Sequence, residues 1–164
     1  MNKDKYIEIF KKTGALLEGH FVLTSGRHSS SYFQCAKVLQ YPQYLYQFSK
    51  EIIKELSTEL EVDKVISPAV GGIVLGTEVG RLLNKPTIFA ERMNGQMSLR
   101  RGFKIDKNEK ILVVEDVITT GGSVKEVIDV AHKNHGQVVG VGIIVDRSNG
   151  QVKIHENQKS LVSL

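Results

Sequence analysis

The chain reads ILVVEDVITTGGS from Ile111 to Ser123, an apolar run followed by two acids and a loop of hydroxyl and glycine residues. A continuous apolar run predicts a strand of a parallel sheet that is covered on both faces. Glu115 and Asp116 then fall at the carboxyl end of this strand, the edge where open α/β sheets bind their ligands. This stretch therefore predicts both an α/β fold and a ligand site.

The loop after the strand has the composition of an anion site. Thr119 to Ser123 supply hydroxyl groups, flexible glycines and the start of a helix, whose free backbone N–H groups and positive dipole end favour a phosphate. Two adjacent carboxylates would repel a phosphate, but they suit the vicinal hydroxyls of a sugar. The combination indicates a sugar phosphate. The alternative is a capping segment, in which Asp116 and the threonines only close the helix.

The segments around this stretch alternate between strand and helix patterns. The predicted strands are 64–67, 86–90, 111–114 and 138–145, and the predicted helices are 73–83 and about 123–135. This order is typical of an α/β fold with a parallel sheet. Asn94-Gly95 between two β-prone runs predicts a hairpin with a two-residue turn.

The regions before and after this core also carry local signals. Asp4 is the expected cap of a first helix that stops at Gly14, and the turn at Ser25-Gly26 predicts an antiparallel hairpin. A long helix is predicted from Pro42, with apolar positions spaced at helical intervals as far as Leu60. The last residues, 160–164, form a strand-like run without closing residues, which leaves open whether the native chain extends past Leu164.

Length and composition favour one domain, 1–164. A chain of 164 residues with 41% hydrophobic residues can bury a sizeable core. Its one cysteine, Cys35, excludes an intramolecular disulfide framework and a Cys-based zinc cage. The N-terminus is charged, and no apolar run approaches the roughly 20 residues that span a bilayer. We therefore expect a cytoplasmic protein without a membrane partner.

The charge is only mildly basic. There are 22 Lys and Arg against 18 Asp and Glu, a net charge of +4. Most lysines lie beside glutamates at helical spacing, as on a solvated helix face. No recognition helix or aromatic RNA-binding pattern accompanies the basic stretch from Arg92 to Lys110. Nucleic acid is therefore not an expected partner.

Several common site motifs do not occur. Gly121-Gly122 has neither the spacing of a nucleotide P-loop nor that of a dinucleotide-binding fingerprint. There is no serine nucleophile elbow, and the five histidines lack the spacing of zinc ligands. We therefore predict no metal site built from protein side chains.

The stretch Ile111–Ser123 resembles the signature of the type I phosphoribosyltransferases, which bind phosphoribosyl pyrophosphate (PRPP). Within that family the chain is most similar to the branch that acts on orotate. The similarity lies in Gly14–Arg27, Ser31-Tyr32-Phe33 and Val145-Asp146-Arg147, and it extends over nearly the whole chain. The resemblance implies a parallel sheet flanked by helices, a small N-terminal hood over about 1–40, a PRPP-binding core over about 60–164 and a flexible β-hairpin loop.

The resemblance also implies roles for individual residues. Glu115 and Asp116 would hold the ribose hydroxyls, and the loop would hold the 5-phosphate. The complete set expected to bind PRPP is Val70, Gly71, Glu115, Asp116, Val117, Ile118, Thr119, Thr120, Gly121, Gly122 and Ser123. Arg147 would pair with the orotate carboxylate and Thr119 would hydrogen-bond the base. Phe33 would stack on the base or simply pack within the hood, and for Arg147 the alternative is a surface ion pair with Asp146.

The chain departs from the family pattern in its hairpin. Many relatives carry an Arg-Lys step and a longer loop rich in Lys, His and Gly, whereas Met93 follows Arg92 here and no Lys or His occurs before Lys104. The cations available to stabilise the leaving pyrophosphate are then Arg92, Arg100 and Arg101, and either of the last two could take that task. Thr24 stands where relatives often have a Lys.

The implied reaction transfers ribose 5-phosphate from PRPP to orotate, with Mg²⁺ held mainly through PRPP and with a homodimer as the assembly. Two alternatives remain open at this point. One is a purine-type phosphoribosyltransferase, against which Arg147 argues because a purine has no carboxylate. The other is a non-enzymatic regulator that senses PRPP.

Overall fold

The computed structural model describes residues 1–22, 26 and 28–164. In this part of the chain the helices are α1 (Lys3–Lys12), α2 (Ala36–Leu39), α3 (Pro42–Leu56), α4 (Gly71–Leu83) and α5 (Gly122–Lys133). The strands are β1 (Leu16–Val22), β2 (His28–Phe33), β3 (Lys64–Pro68), β4 (Thr87–Met93), β5 (Gln96–Leu99), β6 (Lys110–Ile118), β7 (Gln137–Asp146) and β8 (Gln158–Ser163).

The central sheet of the described residues has the strand order β5-β4-β3-β6-β7-β8. The pairs β3–β4, β3–β6, β6–β7 and β7–β8 are parallel, and only β4–β5 is antiparallel. Strands β1 and β2 form a separate antiparallel sheet. The α/β fold with a mostly parallel sheet is therefore confirmed, and β6, which carries the acids, is a central strand.

The inner strands of the central sheet, β3, β6 and β7, are buried on both faces. Val65, Leu112 and Val114 belong to a core shared with α1, α3 and α4, whereas Ile66 and Val113 belong to a core shared with α5. Neighbouring residues of one strand point to opposite faces, so an uninterrupted apolar run fills both cores. This is why the run before Glu115 has no polar residue.

Helix α4 packs closely against the sheet because it carries a glycine at every fourth position, Gly72, Gly76 and Gly80. A Cβ on Gly72 would lie 2.9 Å from Ser67 Cβ, and one on Gly76 would lie 2.8 Å from Ser67 Oγ. At Gly80 a Cβ would lie 2.9 Å from the Lys85 carbonyl oxygen. These glycines are needed for the close approach that brings the start of α4 against β6.

Three local predictions differ from the structure. Asn2, rather than Asp4, caps α1, and its side chain accepts a hydrogen bond from Lys5 N at 3.1 Å, while Asp4 lies within the first turn. Helix α3 ends at Leu56 because the backbone of Ser57 leaves the helical region, with φ 105°, so Leu60 packs on the core from outside the helix. Strand β6 continues to Ile118, beyond the predicted end at residue 114.

Both hairpins form as predicted. Asn94 and Gly95 have positive φ values of 53° and 77°, and Met93 pairs with Gln96 across the two-residue turn. This is the backbone that an Asn-Gly turn between antiparallel strands requires. In the other hairpin β1 pairs with β2, although the predicted turn at Ser25 lies outside the described residues.

Candidate active site

The phosphate loop, residues 119–123, surrounds a small cavity at the start of α5. The cavity has a volume of about 90 Å³ and is lined by Glu115 and residues 117–124. The N-cap residue Gly121 has no side chain to cap α5, and the N–H of Gly122 makes only a long contact with Thr120 Oγ1, at 3.4 Å. Further N–H groups of the first turn remain available to a ligand. Gly121 is left-handed, with φ 74°, and a Cβ there would lie 2.4 Å from Ile154 Cδ1. Glycine is therefore required at this position for both its conformation and its size.

The two acids lie within β6 rather than after its end. On one side β6 pairs with β7 as far as Ile118, whereas on the other side β3 pairs with it only as far as Val113. The predicted strand end at residue 114 was too early, because pairing with β7 extends the strand to Ile118. Since the β3 pairing stops earlier, the acids still lie beyond the paired part of β3, next to the start of α4.

The acids differ in environment. Glu115 is 7% exposed, and its Oε1 accepts a hydrogen bond from Asp116 N at 3.0 Å. Asp116 is half-buried and its Oδ1 accepts from Val117 N at 2.8 Å. Burial, followed by the hydrogen bond and charge of Asp116, raises the pKa of Glu115 from 4.5 to about 9. The folded site therefore favours the protonated, neutral form of Glu115.

This proton gives a stability prediction. The folded chain retains the Glu115 proton up to about pH 9, whereas the unfolded chain loses it near its ordinary pKa of 4.5. Stability therefore falls as the pH rises through this window, because the folded state binds more protons. Glu115→Gln removes this titration. Between pH 5 and pH 8 we therefore expect the free energy of unfolding to fall by about 4 kcal/mol less in Glu115→Gln than in the wild type.

Thermal unfolding of the wild type and of Glu115→Gln at both pH values measures this difference. The exposed Glu8 on α1 provides a matched control, Glu8→Gln, which makes the same chemical change away from the site. Equal pH dependence of the wild type and Glu115→Gln would contradict a raised pKa at Glu115.

The loop before α4 approaches the acid pair. A Cβ on Gly71 would lie 3.1 Å from both Oδ1 and Oδ2 of Asp116, and one on Gly72 would lie 3.0 Å from Glu115 Oε1. Val70, immediately before, is 82% exposed. Two sets of residues that the sequence predicts separately, Val70-Gly71 and Glu115-Asp116, are thus adjacent at the edge of the sheet.

Arg92 lies next to the phosphate loop. Its Nη2 donates to Ser123 Oγ at 3.4 Å, and Nη1 forms an ion pair with Glu126 one turn further along α5. The other two arginines of the predicted set, Arg100 and Arg101, are instead both bound to Glu91. Glu91 and Glu126, which hold these arginines, were not recognised from the sequence, because an acid that pairs with a distant arginine has no local signal.

Arg147 follows the end of β7 beside the loop. Its N–H donates to Ile118 O at 2.9 Å, so it lies level with Thr119. The carboxylate of Asp146 is 2% exposed and accepts hydrogen bonds from Ser148 N, Ser148 Oγ and Gly150 N. Among the described residues the ion pair of Arg147 with Asp146 does not form, and Asp146 instead fixes the loop after β7.

Phe33 and Cys35 connect the N-terminal region to the core. Phe33 is 9% exposed and meets Phe10 edge-on with 5.0 Å between ring centroids, which favours the packing alternative for this residue. Burial raises the pKa of the Cys35 thiol, and the charges of Asp116 and Glu115 raise it further, so Cys35 lies near the acid pair. Thr24 lies outside the described residues.

A larger depression of about 640 Å³ runs along β8 and the loop before it, from Asp146 to Ser163. Its lining contains neither the phosphate loop nor the acid pair. The candidate site is therefore the smaller cavity, where the predicted residues converge.

The described residues contain neither a cluster of metal ligands nor a membrane-spanning helix. No three His, Cys, Asp or Glu side chains come together in a group that could hold a metal ion. No helix in the described part of the chain is long and apolar enough to cross a membrane.

Residues 41–164 match the family model of the phosphoribosyl transferase domain. The chain is 59% identical over all 164 residues to an orotate phosphoribosyltransferase of Chlorobium phaeobacteroides (strain BS1), of which it covers 84%. It is 54% identical over its full length to one of Thermoanaerobacter sp. (strain X514), of which it covers 86%. The chain therefore belongs to the phosphoribosyltransferase family and, within it, to the orotate phosphoribosyltransferases.

Solved structures agree on the fold. The crystal structure of orotate phosphoribosyltransferase from Aeropyrum pernix matches with a TM-score of 0.80 and 26% identity, over 96% of this chain and 92% of that one. The crystal structure of an adenine phosphoribosyltransferase from Rhodothermus marinus matches with a TM-score of 0.74 and 17% identity, over 97% of this chain and 99% of that one. The fold is thus shared by enzymes that act on different bases, and the sequence relatives favour orotate over the purine and regulator alternatives. The predicted reaction class, pentosyl transfer, is confirmed.

Proposed function

We propose that this chain transfers the 5-phosphoribosyl group of PRPP to orotate, which yields orotidine 5′-monophosphate and pyrophosphate. The observation that carries the proposal is the convergence of three features at one sheet edge. These are an uncapped helix start for a phosphate, an acid pair for sugar hydroxyls and Arg147 beside Thr119 for a carboxylate-bearing base.

The sugar is bound between the phosphate loop and the start of α4. N–H groups of residues 119–123 bind the 5-phosphate, because the helix start presents unpaired donors and a positive dipole end. Asp116 accepts hydrogen bonds from the ribose hydroxyls. Glu115 lines the same cavity, and its raised pKa limits repulsion of the incoming phosphates. The backbone of Val70 and Gly71 binds the pyrophosphate group.

Transfer breaks the bond between the anomeric carbon and pyrophosphate and forms one to a ring nitrogen of orotate. Positive charge develops on the ribose ring and negative charge on the leaving group, so the protein acts by positioning and electrostatics. Arg92 and one arginine of the 100–101 pair stabilise the pyrophosphate, while Arg147 and Thr119 orient orotate. Closure of the β4–β5 hairpin excludes water.

A divalent cation fits this site only as a companion of the substrate. The chain offers two adjacent carboxylates there, one of them buried and protonated, and the described residues contain no three-ligand group. Mg²⁺ prefers phosphate oxygens and water, and when bound with PRPP it supplies charge neutralisation for the leaving group.

The proposed organisation is a hood over about 1–40 and a PRPP-binding core over about 60–164, working as a homodimer in the cytoplasm, where charged PRPP would be retained. Exposed apolar side chains on the hairpin and α4, Met93 at 48% and Val74 at 48%, are consistent with a second copy packing there. Light scattering coupled to size-exclusion chromatography tests the assembly.

The function is tested by mixing the protein with PRPP, Mg²⁺ and orotate and following the loss of orotate's ultraviolet absorbance. We expect turnover of orotate and none of adenine, hypoxanthine or uracil under the same conditions. Turnover of a purine with orotate inert would instead establish the purine alternative. Saturable PRPP binding without any turnover would establish the regulator.

A further inference from the structure

The base of the β4–β5 hairpin gathers Arg100 and Arg101 around one carboxylate. Glu91 lies on β4 one residue after Ala90, which pairs with Pro68, the last residue of β3. Its side chain is 15% exposed, and both arginines reach it from the segment that follows β5. Glu91 therefore lies at the ligand-binding edge of the sheet and determines how this segment sits on β4.

The two arginines are held differently. Arg101 forms two hydrogen bonds with Glu91, from Nε to Oε2 at 2.6 Å and from Nη2 to Oε1 at 3.2 Å. Its guanidinium carbon also lies 5.5 Å from the centre of the Phe89 ring. Arg100 makes one longer contact, from Nη1 to Oε1 at 3.3 Å. A bidentate pair stacked on an aromatic ring is the stronger arrangement, because geometry and cation–π attraction add to the charge.

The backbone distinguishes them as well. Arg101 has a φ of 59° and Gly102 a φ of 75°, so a left-handed turn follows Arg100. A side-chain-bearing residue adopts this conformation only where surrounding contacts stabilise it. Phe103 then packs edge-on against Phe89, with 5.1 Å between ring centroids. Turning Arg101 away from Glu91 would therefore disturb the turn and this packing, whereas turning Arg100 away would break one long contact.

We infer that the two arginines have separate roles: Arg101 anchors the hairpin base through Glu91 and Phe89, and Arg100 turns to bind the pyrophosphate of PRPP. Glu91 is then a positioning residue that never contacts substrate. This assignment rests on the proposed function, since it supposes that pyrophosphate is the leaving group. It also explains why the segment carries two consecutive arginines: one fixes the turn and leaves the other free.

The test compares Arg100→Ala, Arg101→Ala, Arg101→Lys and Glu91→Gln by thermal unfolding, steady-state kinetics and direct titration with pyrophosphate and Mg²⁺. We expect Arg100→Ala to weaken pyrophosphate binding and to lower kcat about 10- to 100-fold, with an unchanged unfolding temperature. Arg101→Ala and Glu91→Gln should lower the unfolding temperature by several degrees and change pyrophosphate affinity less than threefold. Added guanidinium should partly restore the activity of Arg100→Ala but not that of Arg101→Ala.

Arg101→Lys keeps the charge but loses the bidentate contact, so it provides the same test if Arg101→Ala does not fold. We expect Arg101→Lys to have a lowered unfolding temperature and an affinity for pyrophosphate like that of the wild type. The inference would be overturned if Arg101→Lys or Arg101→Ala lost affinity for pyrophosphate at unchanged stability while Arg100→Ala bound pyrophosphate as the wild type does. Equal losses in both alanine variants would overturn the division as well. A wild type that binds pyrophosphate but leaves orotate unchanged would refute the proposed function alone, because the titrations would still separate the two arginines.

Discussion

Asp116→Asn is expected to weaken PRPP binding about 10- to 100-fold while leaving the affinity for orotate nearly unchanged. The substitution preserves the size of the side chain, which matters because Gly71 leaves little space beside it: a Cβ there would lie 3.1 Å from Oδ1 and Oδ2. What is lost is a charged acceptor for sugar hydroxyls, and a hydrogen bond to a charged group contributes about 1.5–3 kcal/mol. Isothermal titration with PRPP and Mg²⁺ measures the change.

The control for this variant is Asp129→Asn. Asp129 lies exposed on α5, so its replacement changes the net charge equally without touching the acid pair. PRPP affinity that is equal in Asp116→Asn and the wild type would refute the role of Asp116 at the ribose.

Arg147→Ala should reduce kcat/KM for orotate about 10- to 100-fold and change the affinity for PRPP less than threefold. The guanidinium has no ion pair with Asp146, whose carboxylate binds Ser148 and Gly150, so it is available to a ligand. A planar guanidinium matches a planar carboxylate in two parallel hydrogen bonds, which alanine cannot replace. Initial rates with one substrate varied and the other saturating separate the two effects.

Arg147→Lys sharpens this prediction because it keeps the charge but not the bidentate geometry. Its kcat/KM for orotate should lie between the values of Arg147→Ala and the wild type. Arg81→Ala is the matched control: Arg81 is an exposed arginine whose partner is Glu78, on its own helix. If Arg147→Ala lowered kcat/KM for orotate and the affinity for PRPP equally, Arg147 would stabilise the fold of the site rather than bind the base.

The sequence predicts the elements of the fold well because each has a local cause. The Asn-Gly turn, Pro42 at the start of α3 and the apolar run before Glu115 specify backbone conformation within a few residues. One error arises because a distant strand determines the length of β6, and another is a local misplacement of a helix start. Strand β6 is longer than its apolar run because β7 pairs with it to Ile118, and Asn2 replaces Asp4 as the cap because the helix starts earlier.

The candidate site was predictable to the extent that its residues are adjacent in sequence. The loop at 119–123 and the acids before it form one continuous segment. The contact of Gly71 with Asp116 joins residues that are far apart in the sequence, and it was not predicted. The environments of the acids were not predictable, since the burial of Glu115 depends on how closely α4 approaches. The same holds for Glu91 and Glu126, which meet their arginines across strands and helices.

The glycines of α4 have a consequence for the order in which the protein folds. Each glycine in a helix interior costs about 1 kcal/mol relative to alanine, and both Gly76 and Gly80 lie in the interior of this helix. In the isolated segment α4 would therefore be mostly random coil, and it gains its stability by docking on β3 and β6. The nascent chain consequently acquires the capacity to recognise its activated sugar only once the central strands have assembled, so that ligand recognition reports on a completed fold.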